Sequence, residues 1–335
     1  MRNKQDTFTT EEHFKFFSEF CKLEMLSGGP DPQIPLVGEM SKNESMQERI
    51  WRAGCYISVY NVPFAAAIWQ NWSWERMEKE KENLLPWLQE NWKGIVTRLE
   101  RRCVRRPEWM NEYFLSYFDF AKNILPELQK ATEQFSPEQR YVAFWDISNE
   151  KISRFGRYVA LKLLESYKQY CGMKLEAPDI RPKDGWSPRI TLARLYSSDS
   201  AALNSKDNAQ IPLVNKRVAE LQERLKGSGV NIDLFKLQVV LCEYRESYEG
   251  LRQYPGRSHD SELGYYNKAI NYWKQVPGLL ETRKAIFPNQ HLGEIGGWEV
   301  ARNELGEVLS KYKYTWSDLL FDYKATADFA YPVKR

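Results

Sequence analysis

The stretch Ile152-Ser-Arg-Phe-Gly-Arg-Tyr-Val-Ala-Leu-Lys-Leu-Leu-Glu165 decides how the chain is read. Gly156 predicts a tight turn, and the residues after it predict a helix whose Val159, Leu163 and Leu164 form a buried face. Ala160 permits close packing on a preceding helix. A helix start exposes backbone N–H groups without intrahelical partners, and such a start can hold a phosphate. A glycine-started amphipathic helix with no ligand has the same pattern, so this stretch alone leaves both readings open.

Working outward, Ser136-Pro137-Glu138 is a good helix start, and the run to Trp145 leads through Asp146 into the motif. Upstream, residues 108–135 read as a helix carrying Trp109, Tyr113, Phe114, Tyr117, Phe118 and Phe120, a stripe expected in a core before a stacking platform. Between Lys93 and Pro107 the chain has five arginines against one glutamate. As a helix this segment would put Arg98, Arg101, Arg102 and Arg105 on one face, where like charges repel unless an anion lies opposite. A solvated face and a phosphate-contacting face both fit.

Nearer the start, residues 8–26 predict an amphipathic helix, capped by Thr9 or Thr10 and stopped at Gly28-Gly29-Pro30. A Pro- and Gly-rich linker is expected to about Ser41, then a helix from Ser45 to Asn61 with a break at Pro63. Tryptophans 69, 72, 74, 87 and 92 surround a mixed-charge helix over 75–83. Beyond the motif, residues 176–188 read as loop and Arg189–Leu195 as a short helix. Polar residues 197–210 read as a surface loop, followed by helices over 212–226 and 233–251. The loop from Arg252 to Glu262 precedes expected helices over 264–275 and 277–286, a Gly-rich turn over 293–297, a helix to about Tyr312 and an aromatic end. Alternating β patterns are nearly absent, so the expected fold is all-α. Its expected organisation is an N-terminal helical part over 1–135 and a catalytic part over 136–335, with one continuous domain as the alternative.

A chain of 335 residues with 28% charged and 42% hydrophobic residues can bury a large core. No apolar run is long enough for a membrane span and no leader pattern precedes it, so the expectation is a cytoplasmic protein with no membrane partner. Five scattered cysteines and three histidines allow no zinc spacing, and buried free thiols are expected. A Walker loop, a dinucleotide glycine fingerprint, a nucleophile elbow and a His-Glu-x-x-His motif are all missing. The expectation is therefore chemistry without a metal or cofactor, performed by arginines, carboxylates and polar loops.

Ser153-Arg154-Phe155-Gly156-Arg157-Tyr158-Val159-Ala160 resembles the helix-hairpin-helix of DNA glycosylases, in which the hairpin and following helix grip a DNA phosphate. Those enzymes place a catalytic Asp and then an Arg about 20 residues later, matched here by Pro178-Asp179-Ile180-Arg181. Two positions depart from the pattern. Arg154 replaces the first hairpin glycine, and Tyr158 stands where lyase-type members carry lysine, which implies no Schiff-base chemistry.

A broader likeness is to the glycosylase-like phage proteins called α-glutamyl/putrescinyl thymine pyrophosphorylases, or amino acid:DNA transferases. It rests on Phe155–Ala160, Ala177-Pro-Asp-Ile-Arg-Pro182, Gly185-Trp-Ser-Pro-Arg189, Leu241-Cys-Glu-Tyr-Arg245 and Pro255-Gly-Arg-Ser-His-Asp-Ser-Glu262. The resemblance implies that an amine, such as that of glycine, displaces pyrophosphate from a pyrophosphorylated 5-hydroxymethyluracil in double-stranded DNA, in the cytoplasm of the infected host.

Such chemistry needs guanidinium groups for the departing pyrophosphate or an amino acid's carboxylate, and Arg181, Arg189, Arg245 and Arg257 are candidates. It also needs a carboxylate to accept the amine's proton, with Asp179, Glu243 and Asp260 available. A nucleotide taken out of the stack needs an aromatic surface, for which Trp186 and Tyr254 are suited. Arg154, Phe155, Gly156 and Arg157 are expected at DNA together with Arg98, Arg101, Arg102 and Arg105. Asp179 could instead only cap a helix or pair with Arg181, and His259 is a further candidate general base, although a lone loop histidine is more often merely exposed. A DNA glycosylase using Asp179 and a non-catalytic DNA-binding module are the alternatives.

Overall fold

A computed structural model describes residues 9–26, 30–31, 33–95, 97, 99–183, 185–248 and 269–279. The described residues contain fourteen α-helices joined by short 3-10 and π turns, and a further helical stretch over 269–272, with no strand among them. The all-α expectation holds. No helix among the described residues is long and apolar enough to cross a membrane. The chain divides into two compact units, one formed by residues 1–31, 179–260 and 299–335, the other by 32–178 and 261–298.

Helix α1 (Thr10–Leu26) belongs to the first unit. Thr9 begins it as a reciprocal cap: its Oγ1 accepts from the Glu12 N–H at 3.3 Å, and Glu12 accepts from the Thr9 N–H at 2.8 Å. The second unit runs through α2 (Gln33–Ser41), α3 (Met46–Val59), α4 (Val62–Asn71), α5 (Trp74–Glu80), α6 (Leu84–Asn91), α7 (Pro107–Asp119), α8 (Leu125–Ala131), α9 (Pro137–Lys151) and α10 (Arg157–Tyr170). Helix α2 corrects the expected linker. Pro35 lies in its first turn, where a missing N–H costs nothing, and Gly38 lets it approach α10, where an added Cβ would meet the Tyr170 Cβ at 3.0 Å. Pro63, expected as a break, sits in the first turn of α4 behind the Asn61 cap.

Helices α3, α7 and α10 form the centre of this unit. A Cβ on Gly54 would fall 2.0 Å from the Tyr117 ring, so glycine sets the distance between α3 and α7. Tyrosine hydroxyls then tie the three helices. Tyr113 donates to the Gly54 carbonyl at 3.0 Å, and Tyr117 donates to the Ile50 carbonyl and pairs with the Tyr167 hydroxyl at 3.0 Å. The aromatic stripe on α7 is core, as its spacing predicts: Tyr113, Phe114, Tyr117 and Phe118 are all buried.

The first unit is completed by α11 (Ser187–Leu195), α12 (Ser200–Leu203), α13 (Ile211–Gly227) and α14 (Leu234–Tyr248). Asp233 caps α14, accepting from the Lys236 N–H at 2.9 Å. Thr191 on α11 donates to the Leu241 carbonyl on α14 at 2.7 Å. The Tyr244 ring receives Phe17 and Phe20 of α1 edge-on at 5.1 and 5.5 Å.

The arginine-rich segment is where the expected geometry changes most. Residues Leu99–Val104 form a 3-10 helix broken at Arg101 (φ −105, ψ 27), so the four-arginine α-helical face does not form. Arg101 is buried and Arg105 is exposed. None of the five cysteines forms a disulfide; Cys21, Cys55 and Cys171 are buried, while Cys103 and Cys242 are partly exposed.

Candidate functional site

In the second unit, α9 and α10 are joined by the turn over residues 152–156. Ile152 ends α9, its N–H reaching the Ser148 carbonyl at 3.1 Å, and the Ser153 N–H reaches Ser116 Oγ on α7 at 2.9 Å. Arg154 adopts a left-handed φ of +56, the conformation that a glycine would take without strain. Sequence inspection assigns the turn to Gly156, yet Gly156 is extended (φ −175, ψ 170), and a Cβ there would meet nothing within 4 Å. The strained residue is the arginine.

Several neighbours hold that strain. The Arg154 side chain pairs with Glu112 at 2.8 Å and lies 4.9 Å over the Trp109 ring. The Arg154 carbonyl accepts from Cys103 Sγ at 3.1 Å and from Arg101 Nη1 at 3.4 Å. Gly156 then caps α10 without a side-chain hydrogen bond, which leaves the first N–H groups of α10 directed outward from the helix end. Arg106 also stacks on Trp109, at 4.6 Å. Exposed Arg106 and Arg154, which share the Trp109 ring, thus make a basic rim at the turn, with exposed Arg105 next to Arg106 in the chain and with half-buried Phe155 and Arg157 in the turn and helix start.

Tyr158, in the first turn of α10, donates its hydroxyl to Tyr60 at 2.8 Å, with the two rings edge to face at 5.7 Å. Tyr60 ends α3 with φ +55. One turn further along α10 lie Lys162 and Glu165, both fully buried and paired at 2.9 Å, with Glu165 also accepting from Gln169 at 3.2 Å. Tyr158, Lys162, Glu165 and Gln169 follow i, i+4, i+7 and i+11, a polar stripe along one side of α10. That stripe was legible in the sequence but hidden by the leucines around it.

In the first unit, Asp179 is half-exposed and accepts the Arg181 N–H at 2.7 Å, closing a tight turn in which Arg181 takes φ +51. The Gly185 N–H reaches the Arg181 carbonyl at 3.0 Å. Trp186 follows with 41% of its surface exposed, its Nε1 donating to the Asn204 carbonyl at 3.0 Å and Lys206 lying 4.8 Å over its ring. Arg189 is buried: Nε donates to the Leu203 carbonyl at 3.0 Å, and Nη2 to those of Ala202 and Asp207 at 3.5 Å. On α14, Glu243 is buried and Arg245 half-buried, two residues apart on the same helix. Arg98, Tyr254, Arg257, His259 and Asp260 lie outside the described residues, as does the side chain of Arg102.

An all-α protein with an open, arginine-rimmed helix start and a separate carboxylate–arginine–tryptophan turn has parts suited to holding a polyanion and moving a proton. A family model described as amino acid:DNA transferase matches residues 52–251, more than half of the chain. The chain belongs to the amino acid:DNA transferase family. No curated protein and no solved structure matches it.

Proposed function

We propose that the protein replaces the pyrophosphate of a pyrophosphorylated 5-hydroxymethyluracil in duplex DNA with the amine of an amino acid such as glycine. Family membership supports an amino acid:DNA transferase in general. The finer reading is carried by the Asp179–Trp186 turn, which gathers a carboxylate, an arginine and an exposed indole in eight residues.

In this reading the neutral amine attacks the exocyclic methylene carbon. A C–N bond forms, the C–O bond to pyrophosphate breaks, and the amine's surplus proton passes to the Asp179 carboxylate. Arg181 and Arg245, with Arg257, neutralise the charge that gathers on the departing pyrophosphate. Trp186 offers its open face to the displaced base, its edge fixed by Asn204. The helix start at Gly156 and the basic rim around Trp109 hold the DNA backbone, which positions the duplex without reading its sequence.

The test uses duplex DNA bearing the activated base, incubated with amino acids and digested to nucleosides. The expected product is an amino-substituted thymidine with release of one pyrophosphate; an abasic site would instead identify a glycosylase. Asp179→Asn is expected to lower turnover about 100- to 1,000-fold with DNA affinity retained. Unchanged turnover would remove Asp179 from the role of base, and the absence of any product from wild-type protein would favour a binding module.

A further inference from the structure

We infer that Arg101 is an internal cation whose missing counter-charge is a DNA backbone phosphate held at the 152–156 turn, making it a positioning residue for the duplex. This rests on the proposed DNA-gripping role of that turn. Arg101 is only 1% exposed, and a guanidinium remains charged in a protein interior. Among the described residues no carboxylate pairs with it. Its partners are the Ser58 carbonyl at 3.3 Å, Cys103 Sγ at 3.4 Å and the Arg154 carbonyl at 3.4 Å, while Nη2 is buried with no acceptor.

The Tyr113 ring lies under the guanidinium at 5.1 Å, a favourable contact for a cation that brings no negative charge. A buried charge left without an opposite charge is costly, and proteins rarely keep one. The cost falls once an anion arrives nearby, because the interior between them screens poorly. The strained backbone that Arg101 touches is the turn itself, at the carbonyl of left-handed Arg154. A second guanidinium belongs to the same place. Arg157 is the first residue of α10, and its Nη1 is also buried without an acceptor. Arg101, which touches the turn at Arg154, and Arg157, which begins α10, thus each keep one donor open beside an uncapped helix start.

Arg101 also explains why the turn can hold a ligand without gripping it from the surface. With Cys103 it draws the Arg154 carbonyl inward, fixing the turn that precedes the N–H groups of α10. Exposed Arg105 and Arg106 can meet backbone phosphates directly; Arg101 acts through the turn.

The test compares Arg101→Met, Arg101→Lys and Gly156→Asp with wild type in binding a fluorescent unmodified duplex over a salt series, alongside thermal unfolding. Gly156→Asp has room and makes a better helix cap, so it is expected to keep or raise the melting temperature while abolishing binding. Arg101→Met is expected to weaken binding at least about tenfold per folded molecule, and Arg101→Lys, which keeps the charge, to stay within about threefold of wild type. That rescue separates charge from mere packing. Wild-type affinity in Arg101→Met, with binding lost in Gly156→Asp, overturns the inference and leaves the role of the turn standing. Wild-type affinity in Gly156→Asp overturns the turn's role itself. Should Arg101→Met not fold, Arg101→Gln decides the matter, since it keeps a donor for the Arg154 carbonyl and removes the charge: binding at least about tenfold weaker per folded molecule is expected, and unchanged affinity overturns the inference.

Discussion

Arg189 in the first unit and Arg101 in the second are buried to nearly the same degree, at 2% and 1% exposure, yet they balance their charge in opposite ways. Arg189 directs its donors at three carbonyls of the 202–207 segment; burial lowers its pKa, and the nearby Asp207 carboxylate works against that shift. It staples α11 to the segment that follows. Arg101 makes hydrogen bonds of similar length, at 3.3 to 3.4 Å, but leaves one nitrogen without an acceptor. Burial alone therefore says little about what an arginine does; the match of its donors to acceptors separates a staple from a charge that awaits a partner.

A third arrangement in the same molecule sharpens the contrast from the other side. Lys162 and Glu165 are buried and answer each other directly. Lys162→Met alone is expected to cost about 3–5 kcal/mol, because it strands a buried carboxylate, whereas Lys162→Met with Glu165→Leu should recover most of that loss. Urea unfolding of the two variants checks this. Equal losses would show that the pair does not act as a unit.

Arg189→Met should come next, at about 3 kcal/mol, since the carbonyls of Leu203, Ala202 and Asp207 lose their shared donor. Arg101→Met should cost less than about 1 kcal/mol in the absence of DNA, because removing an unanswered buried charge offsets the broken hydrogen bonds to Ser58 and Arg154. Chemical denaturation of both proteins measures the difference, and a larger loss at Arg101 would break the comparison.

Alkaline pH probes the same interior without a mutation. Burial raises the pKa of Cys171 from 9.0 to about 12 and pushes Cys55, Tyr113, Tyr117 and Tyr167 well up, all in the second unit. These groups are neutral when folded and ionise readily when unfolded, so the stability they permit is complete below about pH 9 and falls as pH rises towards 12. Each contributes a slope of up to about 1.4 kcal/mol per pH unit. Unfolding midpoints followed from about pH 8 to 11 should drop steadily. A flat profile would mean that these hydroxyls and thiols reach solvent.

The smallest expected effect belongs to the surface. Arg105→Ala should reduce the slope of log affinity against log salt by about 0.9, the signature of one lost phosphate contact, with a melting temperature close to wild type. An unchanged slope in a duplex titration would take Arg105 off the DNA.

Much of the fold was legible because helices announce themselves locally. Thr9, Ser45, Ser136 and Asp233 are caps whose meaning lies in the next three residues, and the aromatic spacing on α7 pointed to a core without any knowledge of its partner. Helix α2 was not legible, since Pro35 and Gly38 read as linker chemistry until Tyr170 is known to press against the glycine. The arginine segment misled for a related reason. Its spacing fits an α-helical face, but the buried acceptors offered to Arg101 by Ser58 and Arg154 come from 43 and 53 positions away, and they outweigh the local pattern.

The sequence by itself determined the helical class, the positions of most helix starts and the arginines, carboxylates and aromatics available to a site. Those properties depend on hydrogen bonds and periodicities a few residues long. Only the tertiary structure decided that Arg154 rather than Gly156 carries the strain of the turn, that Arg189 is held by carbonyls, and that Arg101 faces inward with a donor to spare. Each of these turns on which polar groups from distant segments share one buried volume, and the free energy of a buried charge is set by that company and not by its neighbours in the chain.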